Sequence, residues 1–337
     1  MTDQSKRQKS VTRVIIDTDP GVDDALAILL AFGSPNLVVE GLTIVCGNGK
    51  DIKKLGANAK LLARVAGCSD VPVSLGDASR LDESEAAQDI PVHVHGKDCM
   101  GDVAAEFGRT ESDFADFHTQ SAAQFIVERC VAAPGEISLV AIGPLSNIAA
   151  ALKLRPDLPQ LVQQLVIMGG AVRGELRGNR TPAAEANFVG DPEAAQAVLT
   201  AGFRSVTLAD LGITHQTDIC VLREACCREL PNGHAVSKMV YTISQAFVDC
   251  YMKTFKQPNA PAHDVVAIMY LAKPELFKTR PARVEVELAG TLTRGMSVAD
   301  WNGKWKKSPN VEVIVQVDLD RFVSEFVAAV GRLPRSM

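Results

Sequence analysis

Four aspartates lie within eight residues near the N-terminus, Asp17, Asp19, Asp23 and Asp24, in the string DTDPGVDDA. Carboxylates this crowded repel one another, which raises their pKa values. A divalent cation removes that repulsion, and hard carboxylate oxygens suit calcium or magnesium. The chemistry expected of such a turn is metal-assisted hydrolysis of a small polar substrate. Pro20 fixes φ and Gly21 tolerates backbone that other residues resist, so the pair makes a sharp turn. Asp23 or Asp24 can also cap a following helix and gain from its dipole, which accounts for one aspartate but not for four. An EF-hand does not fit: loop positions six and twelve, counted from Asp17, are Val22 and Ile28 instead of Gly and Glu. A phosphatase with an aspartyl nucleophile also begins on Asp-x-Asp after a first strand. Pro-Gly followed by two more aspartates is not its usual continuation.

The turn has to be held by the elements around it. Val14-Ile15-Ile16 reads as a buried strand running into Asp17, and Asp23 to Phe32 as a helix buried over most of its surface. Leu37 to Cys46 reads as a strand, Asp51 to Ala66 as a helix and Val71 to Leu75 as a third strand. After a polar stretch from Asp77 to Thr119 the alternation resumes. Helices are expected over Ser121–Ala132, Leu145–Leu154 and Pro192–Thr200, and strands over Ile137–Ile142, Leu165–Met168 and Val206–Ala209. Ser237 to Phe255 and Asp264 to Leu271 add helices, and Asp320 to Val330 closes the chain with another. Arg283 to Leu288 and Val311 to Val313 alternate polar with apolar residues, which predicts half-exposed antiparallel strands at an edge. The fold class expected is α/β: a mostly parallel central sheet flanked by helices, a Rossmann-like open sheet with extra C-terminal strands and helices. In such sheets ligands bind at the carboxyl ends of strands, where the aspartate turn lies.

The chain has 337 residues, 47% of them hydrophobic, enough for a large core. No linker or repeat interrupts it, so residues 13–337 are expected to form a single domain after a flexible segment 1–12. A net charge of -5 disfavours a nucleic-acid partner. The longest apolar stretch near the N-terminus, Ala25 to Phe32, is too short to span a bilayer. The eight cysteines form no C-x-x-C pair, which suits free thiols in a reducing compartment, the cytosol.

DTDPGVDDA resembles the N-terminal signature of the nucleoside hydrolases, the inosine–uridine-preferring nucleoside N-ribohydrolases. Further segments agree in order: CGN at Cys46–Asn48, HVHGKDCMGD at His93–Asp102, AIGPLSNIA at Ala141–Ala149, VIMGGA at Val166–Ala171, EANFVGDPEAA at Glu185–Ala195 and AHD at Ala262–Asp264. The HGKD stretch is most similar to plant members.

The resemblance implies a tightly held Ca2+ ion, with Asp19, Asp24, the Ile142 carbonyl and Asp264 as its protein ligands. It implies cleavage of the N-glycosidic bond of ribonucleosides of the uridine, inosine and xanthosine type, giving ribose and free base. An ion there activates the attacking water, with Asp19 as general base. Asp23, Asn48, Asn179, Glu185 and Asn187 match ribose-binding positions, and Met168 is expected beside the sugar. His263, then His95, are the candidates facing the leaving base. Tyr251 and Phe255, a helical turn apart, are candidates for contact with that base or for core packing. His118, His215 and His234 read as structural, His93 has no assigned role, and Asp17 reads as a support to the metal set. A small-molecule ribonucleoside is the partner implied, with a homodimer or homotetramer as the assembly. Two departures fall in the motifs: AHDVV lacks a proline common after the His-Asp pair, and Cys99-Met100 stands where Gly-Leu is expected. Both are expected near the base. The competing readings are a metal phosphatase and a nucleoside-binding protein without catalysis.

Overall fold

The computed structural model describes residues 11–77, 92–173 and 178–336. The expected flexible segment lies largely outside these residues, and Thr12 already begins a strand. Nine strands form one sheet among the described residues. They are β1 (Thr12–Thr18), β2 (Leu37–Ile44), β3 (Val73–Leu75), β4 (Ile137–Ala141), β5 (Val162–Met168), β6 (Val206–Ala209), β7 (Phe277–Val286), β8 (Ser297–Asp300) and β9 (Val311–Val317). Their spatial order is β3-β2-β1-β4-β5-β6-β9-β7-β8. All neighbours from β3 through to β9 are parallel, and β7 is antiparallel to both β9 and β8.

The apolar run of β1 is continuous because both of its faces are covered. Val14 and Ile16 join one core cluster and Ile15 the other, so the alternating side chains feed helical layers on opposite sides of the sheet. The helix α1 (Val22–Gly33) is buried along its whole length except for half-buried Phe32. It packs against β2 and against the helices His263–Ala272 and Leu319–Val330. From β1 the chain winds outward through β2 to β3. It then crosses back and winds the other way from β4, so the sheet's switch point lies between β1 and β4. That crevice is where an open α/β sheet receives its ligand.

Two expectations are corrected. Val311 to Val313 does not lie at an edge, because β9 is inserted beside β6 with Val311, Val313 and Ile314 buried. The helix expected over Ser237–Phe255 is α-helical from Ala235 to Asp249 and continues as a π-helical turn, Cys250–Thr254. The helix Ile219–Glu229 and strand β8 were not expected from the sequence. The eight cysteines are free thiols. No helix among the described residues is long and apolar enough to cross a membrane.

Candidate active site and metal centre

The carboxyl end of β1 delivers the aspartate turn into the crevice. Asp17 Oδ1 accepts hydrogen bonds from Thr43 Oγ1 at 2.6 Å and Asn147 Nδ2 at 2.8 Å. Asp17 is thereby tied to β2 and to the helix Ser146–Leu154. Asp24, in the first turn of α1, takes Thr18 Oγ1 at 2.6 Å on Oδ1, and Gly21 N–H and Asn48 Nδ2, each at 3.0 Å, on Oδ2. It thus caps the helix and closes the turn. Asp19 is held differently. Its Oδ2 accepts the Asn48 N–H at 2.7 Å, while its buried Oδ1 has no hydrogen-bond partner. Room for this carboxylate depends on two glycines. A Cβ at Gly143 would stand 2.5 Å from Asp19 Oδ1, and one at Gly47 would collide with Oδ2.

Asp264 comes from a distant part of the chain, the first turn of the helix His263–Ala272. Oxygens of Asp23, Asp24 and Asp264 all lie within 4.8 Å of one another. Above them opens a cavity of about 540 Å³. Asp23 and Asp264 reach its wall, and Asp19 and Asp24 sit beneath it. The Ile142 carbonyl, which follows β4, also faces this space and accepts Asn187 Nδ2 at 3.2 Å. The convergent trio includes Asp23 where the resemblance implies Asp19. The trio is an all-oxygen donor set that fits a hard divalent cation.

Burial and mutual repulsion dominate the electrostatics. Burial raises Asp17 to about 7 against the pull of its two hydrogen bonds, and burial with the Asp24 charge raises Asp23 to about 8. Asp19 rises for the same two reasons, and Asp264 through burial and then the charges of Asp23, Asp24 and Asp19. A bound cation reverses this cost by favouring every ionised carboxylate.

The expected sugar-binding residues Asp23, Asn48, Met168, Asn179, Glu185 and Asn187 all line the cavity. Asn187 Nδ2 also reaches the Met168 carbonyl at 3.1 Å and its sulfur at 3.3 Å. Glu185 lines the wall, but its carboxylate is engaged by the backbone: Oε1 accepts Asn187 N–H, and Oε2 accepts Gly170 and Phe188 N–H. Asn179 Oδ1 accepts Ala186 N–H at 3.0 Å, at the start of the short helix Ala186–Gly190.

Aromatic residues line the cavity too. Tyr251 stacks on Phe247 with centroids 4.7 Å apart, and Phe255 stands edge-on to Tyr251 at 5.2 Å. His95 Nδ1 accepts the Val22 N–H at 3.1 Å, so the neutral ring carries its proton on Nε2. Burial, with a smaller effect of His93, lowers His95 to about 3. His263 is lowered well below the usual histidine range, chiefly by burial. Its Nδ1 lies 2.8 Å from Thr214 Oγ1 and its Nε2 3.2 Å from Tyr251 Oη.

Several expectations change. His215, expected to be structural, lines the cavity with its ring 5.4 Å from that of His263. His93 lines it too, edge-on to Phe255. His118 packs against Phe125, and His234 caps the helix Ala235–Asp249, both structural as expected. Cys99 and Met100 do not face the cavity. They are buried behind Asn48, whose carbonyl lies 3.5 Å from Cys99 Sγ. Val265 and Val266 are likewise buried in the core, away from the base end. Sequence reasoning missed Thr43, Thr214, Gly47, Gly143 and Asn147. The last three lie inside the CGN and AIGPLSNIA motifs, whereas Thr43 and Thr214 carry no sequence signal.

This crevice, with its carboxylates and its mixed polar and aromatic walls, lies at the switch point of an open α/β sheet, and the sequence comparison defines its class. The family model of the inosine-uridine preferring nucleoside hydrolase matches residues 14–324, and the chain belongs to that family. Uridine nucleosidase 1 of Arabidopsis thaliana is 36% identical over 328 residues, 94% of this chain and 92% of that protein. The inosine-uridine preferring nucleoside hydrolase of Leishmania major is 34% identical over 327 residues, covering 95% of this chain and 98% of its own. Among solved structures, a plant nucleoside hydrolase has a TM-score of 0.85 at 32% identity, over 95% of this chain and 99% of that one. The likeness to plant members expected from the HGKD stretch is borne out.

Proposed function

We propose that this protein is a calcium-dependent nucleoside N-ribohydrolase that cleaves ribonucleosides such as uridine and inosine to ribose and free base. The observation that carries the reading is the convergence of Asp23, Asp24 and Asp264 oxygens beneath a cavity of nucleoside scale, with Asp19 Oδ1 buried and unpartnered beside them. Asp19, Asp24, the Ile142 carbonyl and Asp264 would hold the ion, leaving Asp23, which faces the cavity, for the ribose. Bound there, calcium supplies activation and orientation of the attacking water.

The protein's own groups do the rest. Asp19 Oδ1 takes the water's proton, its partner oxygen being anchored by the Asn48 N–H. Asp23, Asn48, Asn179, Glu185 and Asn187 receive the ribose hydroxyls, and Met168 packs beside the ring. Carboxylates nearby favour the positive charge that develops at the anomeric carbon and ring oxygen. His95, neutral by burial, offers its Nε2–H to the departing base, and His263, also neutral, acts on that side through the Tyr251 hydroxyl at its Nε2, with Phe255 packing against the base.

Ribose release from uridine, inosine and xanthosine tests the reading, with a phosphate ester as the control. Release that is abolished by chelation and restored by calcium is expected. Asp19→Asn should lower kcat by about 10²–10⁴-fold with the fold intact. Phosphate release alone, or tight nucleoside binding without turnover, would overturn the proposal.

A further inference from the structure

Thr214 ends the short helix Leu211–Thr214 that follows β6, and it is fully buried. Its backbone is fixed from both sides. The N–H donates to the Asp210 carbonyl at 3.1 Å, and the carbonyl accepts Thr217 Oγ1 at 2.7 Å. The Thr217 hydroxyl oxygen in turn accepts the N–H of Ala262, the residue before His263, at 3.2 Å. One buried side chain thus holds the backbones carrying Thr214 and His263 together. Among the described residues, the hydrogen bond to His263 Nδ1 at 2.8 Å is the one made by the Thr214 side chain.

A buried hydroxyl proton needs an acceptor, and no other is offered to this one. The Thr214 hydroxyl therefore donates to Nδ1, and the neutral ring must carry its own proton on Nε2. Nε2 points at Tyr251 Oη, 3.2 Å away. With Nε2–H donating to the phenol oxygen, the phenol keeps its own proton for the cavity. Every hydrogen bond in the chain then runs toward the base end. If Thr214 accepted instead, Nδ1 would carry the proton, bare Nε2 would accept the phenol's hydrogen bond, and no donor would be left for the cavity.

We infer that Thr214 is a positioning residue that fixes which ring nitrogen of His263 carries the proton, so that a hydrogen-bond donor faces the leaving base. The ring stays neutral and gives up no proton; it stabilises charge developing on the base. This rests on the reading that His263 faces the leaving group.

The test compares Thr214→Val, which keeps the shape and loses the hydroxyl, with Thr214→Ser, which keeps the hydroxyl. With inosine, Thr214→Val should lower kcat by about tenfold or more at little cost in KM, as expected for loss of a donor that acts in the transition state. With 4-nitrophenyl β-D-ribofuranoside, whose leaving group delocalises its charge, the loss should be much smaller. Thr214→Ser should recover most of the activity. Long-range 1H–15N spectra of histidine-labelled wild type should show His263 bare at Nδ1 and protonated at Nε2. Equal losses on both substrates, or a wild-type ring protonated at Nδ1, would overturn the inference. If the wild type released no ribose at all, the hydrolase reading would fail while the spectrum still decided the role of Thr214.

Discussion

Asp19 keeps one oxygen anchored and the other free only because Gly47 and Gly143 leave space for both. Gly143→Ala would place a methyl group 2.5 Å from Asp19 Oδ1, closer than real contacts allow. The crowding should cost about 1–3 kcal/mol of stability. It should also lower kcat well beyond that stability loss, because the carboxylate must rotate away. Thermal denaturation alongside ribose release checks this, and an enzyme with unchanged turnover would refute it. At this scale the sequence was most legible where chemistry demands a charged side chain, as in the DTDPGVDDA turn. It was least legible where the support is a hydroxyl. Thr43 and Thr214 are ordinary threonines until the backbone brings them to Asp17 and His263.

The loop after β5 is pinned by one ion pair between elements. Asp210, at the end of β6, accepts the N–H groups of Val172 and Arg173, each at 3.0 Å, and the Arg173 guanidinium at 3.1 Å. The same guanidinium donates to the Val315 carbonyl in β9 at 3.1 Å. Asp210 is fully buried, and burial raises its pKa despite Arg173. Arg173→Ala would strand that carboxylate, so a loss of about 3–5 kcal/mol in urea unfolding is expected. A loss below 1 kcal/mol would show that the backbone N–H groups suffice. Secondary elements were legible where burial is complete: β1 and α1 announce themselves as apolar runs. The π-helical turn Cys250–Thr254 was not, because it differs from an α-helix by hydrogen-bond register and leaves no mark on hydrophobic spacing. The position of β9 inside the sheet was hidden in the same way, since alternating Val311-Glu312-Val313 looks like an edge.

For the whole molecule, the acidic floor couples stability to protons and metal. Folded Asp17 and Asp23 hold their protons up to about pH 7 and 8, whereas their ordinary value is 3.8. Between those limits the folded state binds more protons than the unfolded chain. The contribution of these two groups to the stability of the metal-free protein is therefore fullest below about pH 4 and is lost as pH rises from there through 7 to 8. Calcium should reverse this at neutral pH, adding about 2.7 kcal/mol at a hundredfold excess over its Kd. Melting temperatures measured across pH with chelator and with calcium decide it; a metal-independent profile would contradict the proposed site. The layered α/β class was legible from the order of elements. The strand order was not, because it is set by contacts between segments far apart in the chain. That distance has a consequence during synthesis. The turn at Asp19 leaves the ribosome well before Asp264 is made. A nascent chain therefore carries the crowded aspartates long before the residue that closes their cation shell exists. Capture of the ion would then have to wait until the segment carrying Asp264 has been made.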